Sequence, residues 1–396
     1  MKTIHTTRGL DIPISGLPRQ KIRSGQPISK VAVLGDDYIG MKPTMVIKEG
    51  DLVKTGQLLF IDKKNPGVKF VAPACGRVSA INRGAKRRFE SLVIELSGNE
   101  SIQFLPENSK PEDMDEDSIR ALLIKSGLWS SFRTRPYGKI PAVDAVPASL
   151  FITAIDTSPL AADPKVIITA HEEEYRLGLR LLSCFFHSVP IHYCMADRKP
   201  ADCEKNDIFS CWVFKGPHPA GLPSTHIHFI DPVHENKMVW HIDYQDIIAI
   251  GHLLLTGHLR EEKVISLAGP AALNPALVVT RPGAFLTDLC RSELILEDVR
   301  VVSGSVLSGH ESSGNFAFLG RYHNQVSVIS DYSGRSFLNW AMPGSERFSI
   351  RPMFVSALKK NLTLPFLQHY GAADGQYIPL EPMIRSCPLI LLPLRS

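Results

Sequence analysis

Lys48-Glu49-Gly50-Asp51-Leu52-Val53-Lys54-Thr55-Gly56-Gln57-Leu58-Leu59 and, a little further on, Ala72-Pro73-Ala74-Cys75-Gly76-Arg77-Val78 decide how the first hundred residues fold. Gly50 and Gly56 stand where tight turns need positive φ, a conformation glycine adopts without a steric penalty, and Pro73 with Gly76 bends the return strand. Val53 and Leu58 fall on inward strand faces. Outward from this text, residues 31–34, 44–48, 57–62, 69–72, 76–82 and 91–96 are short, mostly apolar or β-branched runs bounded by Gly, Pro, Asn or Asp. Such runs predict strands joined by tight turns, hence a small all-β domain.

The quoted text resembles the biotinyl/lipoyl carrier fold, a flattened barrel-sandwich hybrid. In carriers a lysine flanked by methionine or alanine tips the central hairpin and receives the prosthetic group. The corresponding stretch here, Asp62-Lys63-Lys64-Asn65-Pro66-Gly67, lacks those flanks. The fold is expected without the acylated-carrier function.

Residues 106–117 read PENSKPEDMDED, with six acidic side chains, one lysine and two prolines. A run so polar is a solvated connection, and Asp117 or Ser118 then caps a helix starting near Ile119. Beyond it, helices alternate with apolar strands at 149–155, 190–195, 208–214 and 226–230, the pattern of an α/β unit with a largely parallel sheet. Asp163-Pro164 opens one helix, with Ile167, Ala170, Leu177, Leu181 and Phe185 at helical spacing. Asp243 opens another, over 244–255, which Gly257 ends. Strands return at 263–267, 277–280, 299–303 and 325–329, with a short helix over 286–291. A helix over 353–360 is followed by a stretch broken by Pro365, Pro379, Pro382, Pro388 and Pro393. The predicted units are a carrier-like β domain (1–102), an α/β domain (103–256), a small α+β module (257–330) and an incomplete C-terminal part (331–396).

The chain has 396 residues, 44% hydrophobic and 21% charged, with 44 Lys+Arg against 40 Asp+Glu and a formal net charge of +4. This composition is globular and excludes disorder, collagen and coiled coil. With so small an excess of cations and no recognition helix, nucleic acid is not an expected partner. No segment approaches the ~18–20 apolar residues of a membrane helix. Met1 to Leu10 has no apolar core of a secretory signal, so a cytoplasmic location is expected. Seven cysteines, at 75, 184, 194, 203, 211, 290 and 387, include no C-x-x-C pair, which speaks against a disulfide framework or a cysteine-based metal cluster and for reduced, mostly buried thiols.

There is no GxGxxG and no GxxxxGK[ST], so the α/β domain lacks the Gly-rich turn that brings backbone N–H groups onto a pyrophosphate. Gly35-Asp36-Asp37-Tyr38-Ile39-Gly40 follows a strand, but its paired acids repel phosphate. His218, His226 and His228 lie within eleven residues, the last two on one face of the strand read over 226–230. They are open to three readings: a weak zinc candidate, hydrogen bonds that fix a loop, or an interface. Trp129, Phe132, Arg133, Arg135, Tyr137 and Lys139 crowd a window that Pro136 and Gly138 mark as loop. Aromatic faces with fixed cationic donors suit a flat ligand bearing carbonyl acceptors, a protein interface, or plain packing. Arg83-Gly84-Ala85-Lys86-Arg87-Arg88 is a basic hairpin tip, read either as solvated or as a patch for anionic lipid or an acidic partner.

Several long strings together resemble one family. They are Gly35-Asp36-Asp37-Tyr38-Ile39-Gly40-Met41, the runs 63–74 and 126–136, Asp156-Thr157-Ser158-Pro159-Leu160-Ala161-Ala162-Asp163-Pro164, Gly216-Pro217-His218-Pro219-Ala220-Gly221 with Thr225-His226-Ile227-His228-Phe229, and Tyr322-His323-Asn324-Gln325-Val326-Ser327. The chain is identified by them as a member of the A-subunit family of the sodium-translocating NADH:quinone oxidoreductase. The resemblance implies a Rossmann-like α/β domain and a β-grasp module of the soluble-ligand-binding type. It implies a peripheral subunit on the cytoplasmic face of the bacterial inner membrane, in a six-subunit translocase that passes electrons from NADH to ubiquinone and exports Na⁺. NADH oxidation, flavins and iron–sulfur centres then belong to the other five subunits, no cofactor is bound covalently here, and the chief contact is the membrane-embedded B subunit. The implied quinone candidates are Leu34, Tyr38 and Met41 in one loop and Trp129, Phe132, Arg133, Arg135, Tyr137 and Lys139 in another. A structural adaptor that clamps the membrane subunits is the alternative. A ferredoxin-linked relative would carry clustered cysteines, which are absent. The family continues for several tens of helix-forming residues beyond the position of Pro388, so a truncated C-terminal part is expected.

Overall fold

A computed structural model describes residues 2–197, 208–295, 298–330, 348, 355–358 and 363–364. The strands are β1 (Lys2–His5), β2 (Arg19–Ser24), β3 (Lys30–Leu34), β4 (Pro43–Met45), β5 (Leu52–Val53), β6 (Leu58–Asp62), β7 (Lys69–Val71), β8 (Gly76–Arg83) and β9 (Phe89–Leu96) in the first hundred residues. Two antiparallel sheets, β3-β9-β8-β5 and β4-β6-β7, close on each other as a barrel-sandwich. Gly50 and Gly56 take φ of 92° and 84° at the two turns. Between the sheets Leu59, Phe60, Phe70, Leu92 and Ile94 are buried, and the Phe60 and Phe70 rings stack 4.7 Å apart. The tip where a carrier would hold its prosthetic group packs on the next domain. Asn65 Nδ2 donates to the carbonyls of Ile140 and Pro141, both at 3.1 Å.

The first two strands leave this domain. β1 extends the sheet of the α/β domain by pairing parallel to β13 (Phe209–Lys215), and β2 pairs parallel to β16 (Ala276–Thr280) in the third domain. Both strands are short and polar and pair as the edges of those larger sheets.

The α/β domain holds α1 (Glu116–Lys125), β10 (Arg133–Arg135), β11 (Leu150–Ala154), α2 (Pro164–Ala170), α3 (Glu172–Phe185), β12 (Ile191–Met195), β13, α4 (Pro223–Ile230), β14 (Val239–Asp243) and α5 (Tyr244–Thr256). The strand order is β1-β13-β12-β11-β14-β10, all parallel except β10. Asp115, not Asp117 or Ser118, caps α1, accepting from Ser118 N at 2.9 Å. The helix expected from Asp163 to Phe185 breaks at His171. Glu172, Glu173 and Glu174 there begin a second helix, at whose positive end their charges are stabilised. Residues 226–230, expected as a strand, form most of α4, which Pro223 starts at its first turn. The window 129–139, expected as loop, takes in most of a 3₁₀ turn over Leu128–Ser131 and then β10.

Helices α3 and α5 meet through glycine on both sides. A Cβ on Gly178 would lie 2.2 Å from Ile247 O, and one on Gly251 would lie 1.6 Å from Glu174 O. Since both obstacles are backbone, Gly251→Ala must push the helices apart. It is expected to lower stability by about 1–3 kcal/mol, read as a drop in the urea midpoint.

The third domain has β15 (Lys263–Ala268), β16, α6 (Leu286–Leu289), β17 (Val299–Ser303), β18 (His310–Glu311) and β19 (Gln325–Ser330). Its mixed sheet runs β18-β17-β19-β15-β16-β2 over a core of Ile265, Leu267, Leu286, Leu289, Val326 and Val328. Of the expected helix 353–360, Val355–Leu358 form one 3₁₀ turn. Apart from residues 348, 355–358 and 363–364, the C-terminal part expected over 331–396 lies outside the described residues.

Candidate functional site

In the parallel sheet, β12 and β13 follow β11 on one side while β14 lies on the other, so strand order reverses between β11 and β14. Open α/β sheets take ligands at the carboxyl ends of the strands flanking such a reversal. A cavity of about 580 Å³ opens there. All three domains line it: Leu34, Asp37, Tyr38 and Phe70 from the first, Arg133, Arg135, Thr153, Asp156, His241, Asp243 and Asp246 from the second, and Lys263, Arg321, Tyr322 and Asn324 from the third.

One wall is cationic. Arg133 and Arg135 alternate on one face of β10, and Arg133 lies directly across from His241 of β14. Neither guanidinium has a carboxylate partner or a hydrogen bond through Nε among the described residues, and His241 Nε2 and Thr153 Oγ1 beside them are also buried without partners. Arg133 lies 4.4 Å from the Tyr322 ring centre. Burial, then the charge of Arg133, lower Arg135 to about 10. Burial, then the two arginines, hold His241 well below its ordinary value, so it is neutral.

The opposite wall is acidic and bound into the domain junction. Arg321 Nη2 donates to Asp246 Oδ1 at 2.6 Å and to Ser131 Oγ at 3.0 Å, while its backbone N–H donates to Asp37 Oδ2 at 2.8 Å. Lys263 Nζ holds Arg321 O at 2.9 Å, and Tyr322 OH donates to Ser130 O at 2.8 Å. Asp243 caps α5, accepting from Gln245 N at 3.4 Å, and accepts from Asn324 Nδ2 at 2.7 Å. Burial first, then Asp246, raise the Asp243 carboxyl to about 7.

Of the nine quinone candidates in the sequence, the cavity brings together Leu34, Tyr38, Arg133 and Arg135. Trp129 and Phe132 do not reach it. Both are fully buried in an aromatic cluster with Phe186 and Trp240, their mutual ring distance 5.6 Å, so packing is the role that the structure gives them. Met41, Tyr137 and Lys139 also lie outside the lining; Tyr137 is 76% exposed and Ile39, which approaches Gly138, is 50% exposed. Asp37, His241, Asp243, Asp246, Lys263 and Arg321 line the same cavity and are not among the nine named candidates, though Asp37 lies within the string from Gly35 to Met41. Of the others, only Asp243 carries a sequence signal, as a helix cap.

The histidine trio does not converge. With α4 helical, His226 is buried and His228 exposed, and no group of three metal-ligating side chains occurs among the described residues. His226 Nε2 donates to Ala220 O at 3.0 Å, and His218 Nδ1 lies 3.2 Å from Thr157 Oγ1, so both fix the loop before α4. Burial depresses His226 to about 3. The unfolded chain then binds a proton below about pH 6.5 that the folded chain refuses, so stability falls with pH from there toward 3. His226→Gln, which still donates to Ala220 O, is expected to flatten that fall in denaturation midpoints measured at pH 7 and 5. Among the cysteines, Cys194 and Cys290 are buried free thiols and Cys211 is buried; Cys203 and Cys387 lie outside the described residues.

Family models match the chain in three consecutive pieces: an NqrA N-terminal barrel-sandwich hybrid domain over residues 4–97, an NqrA second alpha/beta domain over 114–259, and an NQRA C-terminal domain over 264–314. The A subunit of Na(+)-translocating NADH-quinone reductase from Histophilus somni is 45% identical over 387 residues, 98% of this chain and 86% of that protein. Its counterpart in Vibrio parahaemolyticus gives the same figures, and that of Actinobacillus pleuropneumoniae is 45% identical over 389 residues. The chain belongs to this A-subunit family. Among solved structures, NAD+-reducing [NiFe]-hydrogenase in its H2-reduced state shows a slight likeness at 11% identity and a TM-score of 0.41, over 58% of this chain and 50% of that one. Among the described residues, no helix is long and apolar enough to cross a membrane.

Proposed function

We propose that this chain is the quinone-proximal, peripheral subunit of a Na⁺-translocating NADH:quinone reductase. It docks on the membrane-embedded B subunit, on the cytoplasmic face of the inner membrane, and holds the quinone head group in the cavity at its domain junction. On this reading the α/β domain is Rossmann-like and the third domain a β-grasp module, while flavins, iron–sulfur centres and NADH oxidation sit on the other subunits.

The observation that carries the quinone reading is the Arg133–Arg135 wall, two half-buried cations without a counter-charge among the described residues. A quinone is neutral when it enters and gathers negative charge on its oxygens as electrons arrive, so fixed donors there stabilise the reduced form more than the oxidised one. Leu34, Phe70 and Leu319 supply apolar surface for the ring, and neutral His241 adds a donor or acceptor without a third charge. The work of these residues is positioning and charge stabilisation, not covalent chemistry.

The test is calorimetric titration of the full chain with a short-tailed ubiquinone analogue. Saturable binding is expected, weakened at least about tenfold in Arg135→Ala, the range for a lost hydrogen bond to a charged group. The adaptor reading draws on exposed Ile39 and Tyr137, an apolar pair suited to a partner surface. It is favoured if no saturable binding occurs while the partner subunits still co-purify with the chain.

A further inference from the structure

Reducing a quinone to a quinol takes two electrons and two protons. The electrons come from the NADH-oxidising part of the complex; the protons must reach a head group enclosed by three domains. We propose that Asp243 is the acid that passes protons to the quinone in this cavity, an assignment that rests on the quinone reading above.

Position singles it out. Asp243 lies two residues beyond His241 on β14, so the two side chains share the sheet face that Arg133 and Arg135 occupy, and it lies directly across from Thr153 of β11. It is half-buried and lines the cavity. Both its hydrogen bonds, from Gln245 N and Asn324 Nδ2, fall on Oδ2. Oδ1 is left without a partner among the described residues.

The neighbouring acids are differently placed. Asp246 is ion-paired with Arg321 at 2.6 Å. Asp37 and Asp156 are also raised by burial and accept from neutral amides, the Arg321 and Ser158 N–H groups at 2.8 Å, but neither lies on β14 beside His241. The partner of Asp243 is a neutral amide, which tolerates the carboxyl in either protonation state. Asp246, Asp156, Lys263 and Tyr244 are the titratable groups electrostatically linked to it, and His241, Arg133 and Arg135 share its sheet face. Burial and the two acids favour its protonated form, while Lys263 and Asn324 oppose them, which leaves it titrating near neutrality.

In the step, an electron pair placed on the quinone is matched by transfer of the carboxyl proton. The Asp243 O–H bond breaks, a quinone O–H bond forms, and the carboxylate is reprotonated from water in the cavity. One further proton, transferred by the same route with no further electrons, completes the quinol, so both protons come from solvent.

The experiment uses the assembled complex and follows NADH-driven reduction of a short-tailed ubiquinone as a function of pH, with analogue binding measured in parallel. Asp243→Asn keeps the helix cap and the acceptor for Asn324 but carries no proton; Asp243→Ser is a second cap without an acid. Both are expected to bind the analogue within about threefold of wild type, to lose turnover by about a hundredfold, and to lose the limb of the pH profile near 7. Asp243→Glu is expected to restore part of the turnover. Unchanged turnover and pH profile in the Asn and Ser variants, or equal loss in the Glu variant, overturns the assignment of Asp243 while leaving the quinone reading intact. Failure of the wild-type chain to bind the analogue overturns both.

Discussion

Replacing Arg321 with alanine is expected to lower stability by about 3–5 kcal/mol at neutral pH, the range for breaking a buried ion pair by removing one partner. The Asp246 carboxylate, buried and held at 2.6 Å, would lose its cation and keep only the Ser131 hydroxyl. The loss is not confined to one contact. Arg321 joins the third domain to α5 and, through Ser131, to the turn before β10, so its removal loosens the junction around the cavity. Guanidinium denaturation of Arg321→Ala beside Asp246→Asn and the double variant separates the effects. The double variant should be less destabilised than Arg321→Ala, since no unpaired charge is left. If Arg321→Ala unfolds at the wild-type midpoint, the junction does not depend on this pair.

A loss of similar size is expected from Trp129→Ala, for a different reason. The indole is fully buried, makes edge contacts with Phe132, Phe185 and Trp240, and donates Nε1–H to Pro141 O at 3.0 Å. Truncation leaves a large hole in a packed cluster, and aromatic-to-alanine changes of this kind cost about 3–5 kcal/mol. Because Trp129 lies outside the cavity lining, the folded fraction of the variant should bind the quinone analogue with near wild-type affinity. Arg135→Ala should show the reverse, near-normal stability with weakened binding. A Trp129→Ala variant that is stable but cannot bind would return the indole to the ligand contacts.

That contrast shows where the sequence is legible. Aromatic and cationic residues alternate in the window 129–139, and their types alone suit a ligand, an interface or a core equally. The structure separates them by face. Phe132 turns into the aromatic core and Arg133 and Arg135 onto the cavity wall, because β10 pairs with β14 and a strand sends successive side chains to opposite sides. The histidines fail in the opposite way. Two residues apart on a strand they would share a face; on α4 they diverge, and Pro223, a helix-start signal in plain view, is the residue that decides between the two.

The sequence by itself determined the local grammar of this protein: glycine turns at 50 and 56, caps at Asp163 and Asp243, the β-then-α/β order of domains, and the absence of a Gly-rich nucleotide turn. These depend on backbone sterics and on hydrogen bonds between near neighbours, which a linear reading contains. Only the tertiary structure decided the site. Arg321 meets Asp246 across 75 positions and Asp37 across 284, and β1 and β2 depart to sheets built from later residues. The charge state of Asp243 depends on burial by three domains at once. Electrostatics in a low-dielectric junction is set by what surrounds a group in space, and that is settled only when the chain closes on itself.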